Sequence, residues 1–172
     1  MSISKSQSDA FKVMVNWLRD SVREPEQFTL SYAAESSAFV RFNHAKVRQA
    51  GQVQQADVGL KLINDGRHAD LHITLSGDQE ADLQRLAEGL QQLRETLPLL
   101  PQDPYLLLNH NGWQSNNVQE HPLPDTEQVV EEICTAAEGL DLVGFYAAGP
   151  ISRGFASSSG AFGWHQANSF NF

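Results

Sequence analysis

Cysteine is almost absent: Cys134 is the only one in 172 residues. A single thiol excludes an internal disulfide and a thiolate metal cluster, and it suits a reducing compartment. Long hydrophobic runs are missing too. No stretch approaches the roughly 20 apolar residues of a membrane span. The start, Met1-Ser2-Ile3-Ser4-Lys5-Ser6, lacks the apolar segment of a signal peptide. The expected location is the cytoplasm, with no membrane partner. Positive charge is scarce: 12 Lys and Arg against 21 Asp and Glu leave a net charge of −9. A general nucleic-acid binder needs a basic face to neutralise phosphates, so direct nucleic-acid contact is not expected, although a small local basic patch remains compatible with this balance.

What is present is a globular composition, 41% apolar and 19% charged, in a length that fits one domain with a real core. Residues 9–22 carry Phe11, Met14, Val15, Leu18 and Val22 at helical spacing, with Ser8 as the expected N-cap and Pro25 as the stop. From residue 27 to 75 the period changes to two. Phe28, Leu30 and Tyr32 alternate with polar residues, as do Val40 and Phe42, then Val58, Leu60 and Leu62. Ala69, Leu71, Ile73 and Leu75 face one way while His68, Asp70, His72 and Thr74 face the other. Asp65-Gly66 supplies the positive φ angles of a tight hairpin. These runs predict an antiparallel meander with one buried face.

Residues 79–97 predict the clearest helix, striped by Leu83, Leu86, Ala87, Leu90, Leu93 and Leu97, capped by Asp78 and closed by Pro98. It should cover the apolar face of the meander. Five of the seven prolines then fall in residues 98–125, which predicts a long loop in which Tyr105-Leu106-Leu107-Leu108 docks on the core and Trp113 stands exposed. Residues 126–139 predict a third helix, with Asp125 and Gln128 as a capping pair, Val129, Val130, Ile133 and Ala137 inward, and Gly139 at its end. Residues 142–148 predict a buried strand, which Gly149-Pro150 bends into a terminal hairpin around Ser157-Ser158-Ser159-Gly160. The second arm ends on Phe170-Asn171-Phe172 without a polar tail, the pattern of a strand whose partner lies beyond residue 172. An apolar surface through which the chain associates is therefore expected near residues 161–172.

Motifs for chemistry are few. His68 and His72 have the spacing of a metal pair, but on a strand they stand about 13 Å apart at 3.3 Å per residue, and one zinc reaches only about 2.1 Å to each nitrogen. Neither His-Glu-x-x-His nor His-Glu-x-x-x-His occurs, and His44, His110, His121 and His165 lie in different segments. Cys134 sits beside Ile133 on a helix, where an inert core-side thiol is the favoured reading. Ser157-Ser158-Ser159-Gly160 lies between two strands, so it is a turn and no nucleophile elbow. The glycines of the hairpin form no phosphate loop; they favour bulges or close backbone approach. A hairpin of small residues can also line a groove in which an extended peptide binds. Arg153, Ser157, Ser159, Trp164 and His165 are the candidate contacts with a peptide or partner, against the plainer reading that they only pack.

Two stretches resemble a known family. Ser37-Ala38-Phe39-Val40-Arg41-Phe42-Asn43-His44-Ala45-Lys46-Val47-Arg48-Gln49-Ala50-Gly51, running into Val58-Gly59-Leu60-Lys61-Leu62, is one. Tyr146-Ala147-Ala148-Gly149 with Arg153-Gly154-Phe155-Ala156-Ser157-Ser158-Ser159-Gly160-Ala161-Phe162 is the other. Both are similar to the N-terminal domain of the TldD/PmbA family, also called modulators of DNA gyrase. The expected fold is thus α+β, a curved and largely antiparallel sheet with two or three helices packed on one face. Residues 1–172 would form a single N-terminal domain, and a metallopeptidase-like C-terminal domain would be absent from this chain.

The resemblance implies a metal-dependent peptidase system acting on peptides or small proteins. In that family the zinc ligands lie on a His-Glu-x-x-x-His helix beyond the matched region, in one of two related subunits. No position here matches that helix, so no catalytic residue, metal ligand or cofactor is carried over. Zinc would belong to the full-length protein or to its partner subunit. The implied partners are a peptide substrate and a related TldD/PmbA-type subunit in a homo- or hetero-oligomer. The implied role is to shape the substrate passage and the subunit contacts. The alternative is a metal-free companion or regulatory interaction module without peptidase activity, to which the Arg41-Phe42-Asn43 and Val47-Arg48-Gln49-Ala50-Gly51 wording is slightly closer.

Overall fold

The computed structural model describes residues 3–119 and 121–172, with side chains from residue 6 onward. Helix α1 spans Ile3–Ser21, strands β1, β2 and β3 span Gln27–Asn43, Lys46–Asn64 and Arg67–Thr74, and helix α2 spans Gln79–Thr96. Strand β4 (Gln114–Gln119), helix α3 (Thr126–Ala136) and strands β5 (Val143–Ser157) and β6 (Phe162–Asn171) follow. The fold is α+β, with hydrogen-bonded strand order β3-β2-β1-β5-β6-β4. The chain condenses into two compact units. Unit 1 holds residues 1–33, 56–117 and 152–165; unit 2 holds residues 34–55, 118–151 and 166–172.

Unit 1 is built on the apolar stripes predicted from period. Phe11, Met14, Val15 and Leu18 of α1 are buried, as are Phe28, Leu30 and Tyr32 of β1 and Val58, Leu60 and Leu62 of β2. Leu86, Leu90 and Leu93 of α2 complete the core, and α2 lies on β3, where Gly89 meets Leu71 and Ile73. Strand β3 pairs antiparallel with β2 through Asn64↔Arg67, and Asp65 and Gly66 turn the hairpin at φ of 50° and 69°. Phe11 stands at the centre of an aromatic group, 5.6 Å from the Tyr32 ring and 5.9 Å from Trp164. Burial, with Asp57 and Asp82 adding negative field, pushes the Tyr32 phenol up to about 12, so it stays neutral in the core.

Asp82 is a buried carboxylate that periodicity does not reveal. It accepts from the Ser76 and Gly77 backbone N–H groups at 2.8 and 3.0 Å and from Ser76 Oγ at 2.8 Å. Asp78 caps α2 from outside by accepting from Ala81 N at 2.9 Å. Asp82→Ala removes the acceptor of two backbone donors on exposed residues, each bond worth about 1 kcal/mol. The expected loss is about 2 kcal/mol, read by urea unfolding, and a loss below about 0.5 kcal/mol would contradict this role.

Unit 2 packs Val40 and Phe42 of β1 and Tyr146 and Ala148 of β5 beneath α3, whose Val129, Val130, Ile133 and Cys134 close the cluster with Leu123 and Leu142. Cys134 is half-buried there, as a core-side thiol. Asp125 caps α3 by accepting from Gln128 N at 2.9 Å, and Gly139 turns the chain away at φ 78°.

Several expectations are corrected. Helix α1 begins at Ile3, so Ser8 lies inside it and is no N-cap; no breaker stands between Ile3 and Phe11. Strand β5 runs from Val143 through Gly149-Pro150 to Ser157 as one strand, so Gly149-Pro150 does not end it. It is also one-sided: Tyr146 is buried while Val143 and Phe145 are 72% and 49% exposed. The loop segment at 105–108 does not dock as a block, since Tyr105 and Leu107 are 86% and 93% exposed. Pro104 and an Asp103 side chain accepting from Tyr105 N hold that segment as a turn. Residues 114–119, read as loop, form β4. In the expected apolar patch at 161–172, Ala161 and Trp164 are core residues and only Phe170 and Phe172 are exposed large hydrophobics.

Candidate functional site

The terminal hairpin turns at Ser158–Gly160, with Gly160 at φ 92°. Its five candidate residues divide sharply. Trp164 is 3% exposed, against Phe11 and Tyr32. Its indole is a core element and cannot meet a peptide. Ser157 is buried, and its Oγ accepts from Ala161 N at 3.3 Å and bonds Ser159 Oγ at 2.8 Å. Ser159 Oγ in turn donates to Asn109 O at 3.1 Å. Arg153 is exposed and donates to Ser152 O at 2.8 Å, and His165 is half-buried. The hydroxyl chain fastens the loop to the turn, so Ser157→Ala is expected to cost about 1 kcal/mol in thermal or urea unfolding. A change below a few tenths would remove this role.

The loop before β4 lies on this hairpin. Trp113 stacks on Phe155 with centroids 6.0 Å apart and planes 5° from parallel. A Cβ on Gly163 would stand 2.7 Å from the Trp113 ring, so only glycine leaves room for the indole. Phe162 N donates to Trp113 O at 2.8 Å. The exposed-looking tryptophan is therefore half of a stacked pair.

A second surface, missed in the sequence, lies on the sheet of unit 2. The alternate residues of β1 that do not enter the α3 core line a concavity of about 290 Å3, among them Ser37, Phe39 and Arg41, with Phe145 of β5 and Ser169 and Asn171 of β6. A second concavity adjoins it and shares Arg41 and Phe145, adding Arg48 and Val143. Gly51 clears space for the Phe39 ring, which would sit 2.8 Å from a Cβ there. The Arg41 guanidinium lies 5.8 Å from the Phe39 centroid and donates to Gln49 Oε1 at 3.4 Å. Among the described residues no carboxylate pairs with Arg41 or Arg48.

The histidines give no metal centre. His68 and His72 both lie on strand β3, as the alternation predicted. They face different carboxylates, Asp103 at 3.4 Å and Asp57 at 3.9 Å, while His44 pairs with Asp141 at 2.8 Å. Among the described residues no three His, Cys, Asp or Glu side chains gather as a metal would need. These histidines, each facing a different carboxylate, do not fit one zinc ion. No described helix is long and apolar enough to cross a membrane.

The class is set by topology: an α+β chain whose six-stranded sheet pairs the long β1–β2 hairpin with the β5–β6 hairpin through β1 and β5, with β3 and β4 at its edges. This fold recurs in solved structures. TldE from Thermococcus kodakarensis superposes with a TM-score of 0.64 at 12% identity, over 94% of this chain and 38% of that one. A candidate modulator of DNA gyrase from Bacteroides thetaiotaomicron gives 0.60 at 15% identity, over 98% and 40%. A candidate modulator of a DNA gyrase from Thermotoga maritima gives 0.51 at 10% identity, over 98% and 38%. At such identities the likeness establishes the fold. The chain spans about two-fifths of the length of each. No family model and no curated protein sequence matches it.

Proposed function

We infer that this chain is the non-catalytic N-terminal part of a TldD/PmbA-type metal-dependent peptidase, shaping the substrate passage and the contacts between subunits. The observation that supports it most is the fold likeness to TldE and to two candidate gyrase modulators across 94–98% of the chain. The sequence resemblance at Arg41–Gly51 and Arg153–Phe162 points the same way. In this reading the metal and the hydrolytic groups belong to residues outside this chain or to a related subunit. A peptide is the substrate class, and a second TldD/PmbA-type chain is the partner.

A metal-free companion role is the second reading, favoured by the Arg41-Phe42-Asn43 and Val47–Gly51 wording. The test is peptide hydrolysis by the natural protein that carries these 172 residues, alone and mixed with a zinc-bearing TldD-type subunit. Chelator-sensitive cleavage by the natural protein alone supports the peptidase reading. Cleavage only in the mixture supports the companion. No cleavage in either, with both chains folded, removes both.

A further inference from the structure

We propose that the open sheet face of unit 2 captures the C-terminal end of a peptide, with its α-carboxylate held by Arg41 and Arg48 and its last apolar side chain against Phe145. This deepens the peptide-handling reading above and rests on it. Charge selects the ligand first. In a chain of net −9, two guanidiniums line one concavity with no carboxylate among its lining residues. Glu35, the acidic residue on the adjoining wall, lies six residues along β1 from Arg41 and accepts from Gln55 Nε2 at 3.0 Å. At 3.3 Å per residue that is about 20 Å, beyond the screening length of about 8–10 Å. Asp141 is held by His44 at 2.8 Å. The positive charge at Arg41 and Arg48 is thus uncompensated.

Shape selects the end of a chain over its middle. The concavity that holds both arginines, about 550 Å3, adjoins the one of about 290 Å3; both fall in the lower half of, or just under, the usual range of ligand sites, about 300–1,000 Å3, which suits a terminal residue or two. The positive field accepts the carboxyl end and repels the amino end. Arg41 is steadied over Phe39, which keeps a planar fork of donors available for two carboxylate oxygens. Phe145, half-exposed in both concavities, offers the apolar wall. Ser37, Ser169 and Asn171 supply hydrogen-bonding groups for the last peptide units.

The experiment is calorimetric titration of the 172-residue chain at low salt with acetyl-Leu-Ala-Leu-Phe, as the free acid and as the C-terminal amide. The free acid is expected to bind at least about tenfold more tightly than the amide. The Arg41→Gln/Arg48→Gln variant, altered only at exposed positions, should lose about tenfold while keeping its melting curve. Phe145→Ser should weaken both forms of the peptide alike. Equal binding of acid and amide, or no binding of either, overturns the proposal. Tighter binding of a single-stranded DNA 12-mer through the same arginines overturns it in favour of a nucleic-acid site. Binding is read here without hydrolysis, so failure of this site leaves the cleavage test above standing.

Discussion

Arg94→Leu is expected to lower the unfolding free energy by about 2–3 kcal/mol, because it leaves a part-buried carboxylate without its counter-charge. In unit 1 the Arg94 guanidinium of α2 grips Glu26 with two bonds, Nε to Oε1 at 2.8 Å and Nη2 to Oε2 at 2.7 Å, and Nη2 also donates to Ser21 O at 2.8 Å. The side chains are 16% and 10% exposed, so the pair is shielded from solvent in part. Glu26 also accepts from Arg23 N at 2.8 Å. The pair therefore ties the end of α1 and the start of β1 to α2. Replacing both partners, Arg94→Leu with Glu26→Leu, should cost far less than the single change, since no charge is then stranded.

The same pair carries a pH dependence of known sign. The Arg94 hydrogen bond holds the Glu26 carboxyl below its ordinary value of 4.5, against the opposing push of burial. A lowered folded pKa stabilises above the unfolded value and loses that contribution as pH falls. The stability difference between the natural chain and Glu26→Gln should be constant from pH 7 to about 5. It should shrink below 4.5 and vanish once the pH passes the lowered folded value. Urea unfolding of both proteins between pH 7 and 3 measures it. A difference that grows on acidification contradicts the assignment.

Gly149→Ala should be as damaging, although it adds one carbon. A Cβ at Gly149 would lie 2.1 Å from Ser36 O and 2.7 Å from Ser37 Cα. Both obstacles are backbone of β1, so no rotamer change can make room and the two strands must part. Overpacking a core side chain costs about 1–3 kcal/mol; a backbone collision should reach at least the top of that range. Gly144→Ala, in the same strand, is the control: its Cβ would meet only Leu142 Cδ1, at 4.0 Å, and should change stability by less than about 1 kcal/mol. Equal melting temperatures for the two variants would refute the close approach.

Where local chemistry decides structure, the sequence is legible. The caps at Asp78 and Asp125, the Asp65-Gly66 turn and the buried stripes of α1 and α2 follow from residue type and period alone. Where distant segments decide, it is not. His44 and Ala45 turn the β1–β2 hairpin at φ of 50° and 55°, the geometry of a tight hairpin turn without the Asn-Gly or Asp-Gly that marks one in sequence. Residues 33–39 carry Ala-Ala-Glu-Ser-Ser-Ala-Phe, with too few large apolar residues to show a period, yet they continue β1. Trp164 and Ser157 read as candidate contacts because a strand pattern does not say which side chain is covered; α1 covers Trp164 with Phe11, and the turn engages Ser157 through Ser159 and Ala161. The Arg41 and Phe145 surface was hidden for the converse reason. Its residues lie on separate strands and share a face only through sheet pairing.

The central claim is that this chain is the metal-free part of a metal-dependent peptide-handling protein. Metal analysis of the 172-residue chain, alone and mixed with a zinc-bearing TldD-type subunit, purified without chelator and dialysed against trace zinc, tests that claim most directly. The account predicts no stoichiometric zinc on the 172 residues, and zinc only on the related subunit. One tightly bound zinc per chain on the 172 residues themselves would contradict it, because the histidine and carboxylate side chains described here would then have to converge on a site that their strands hold apart.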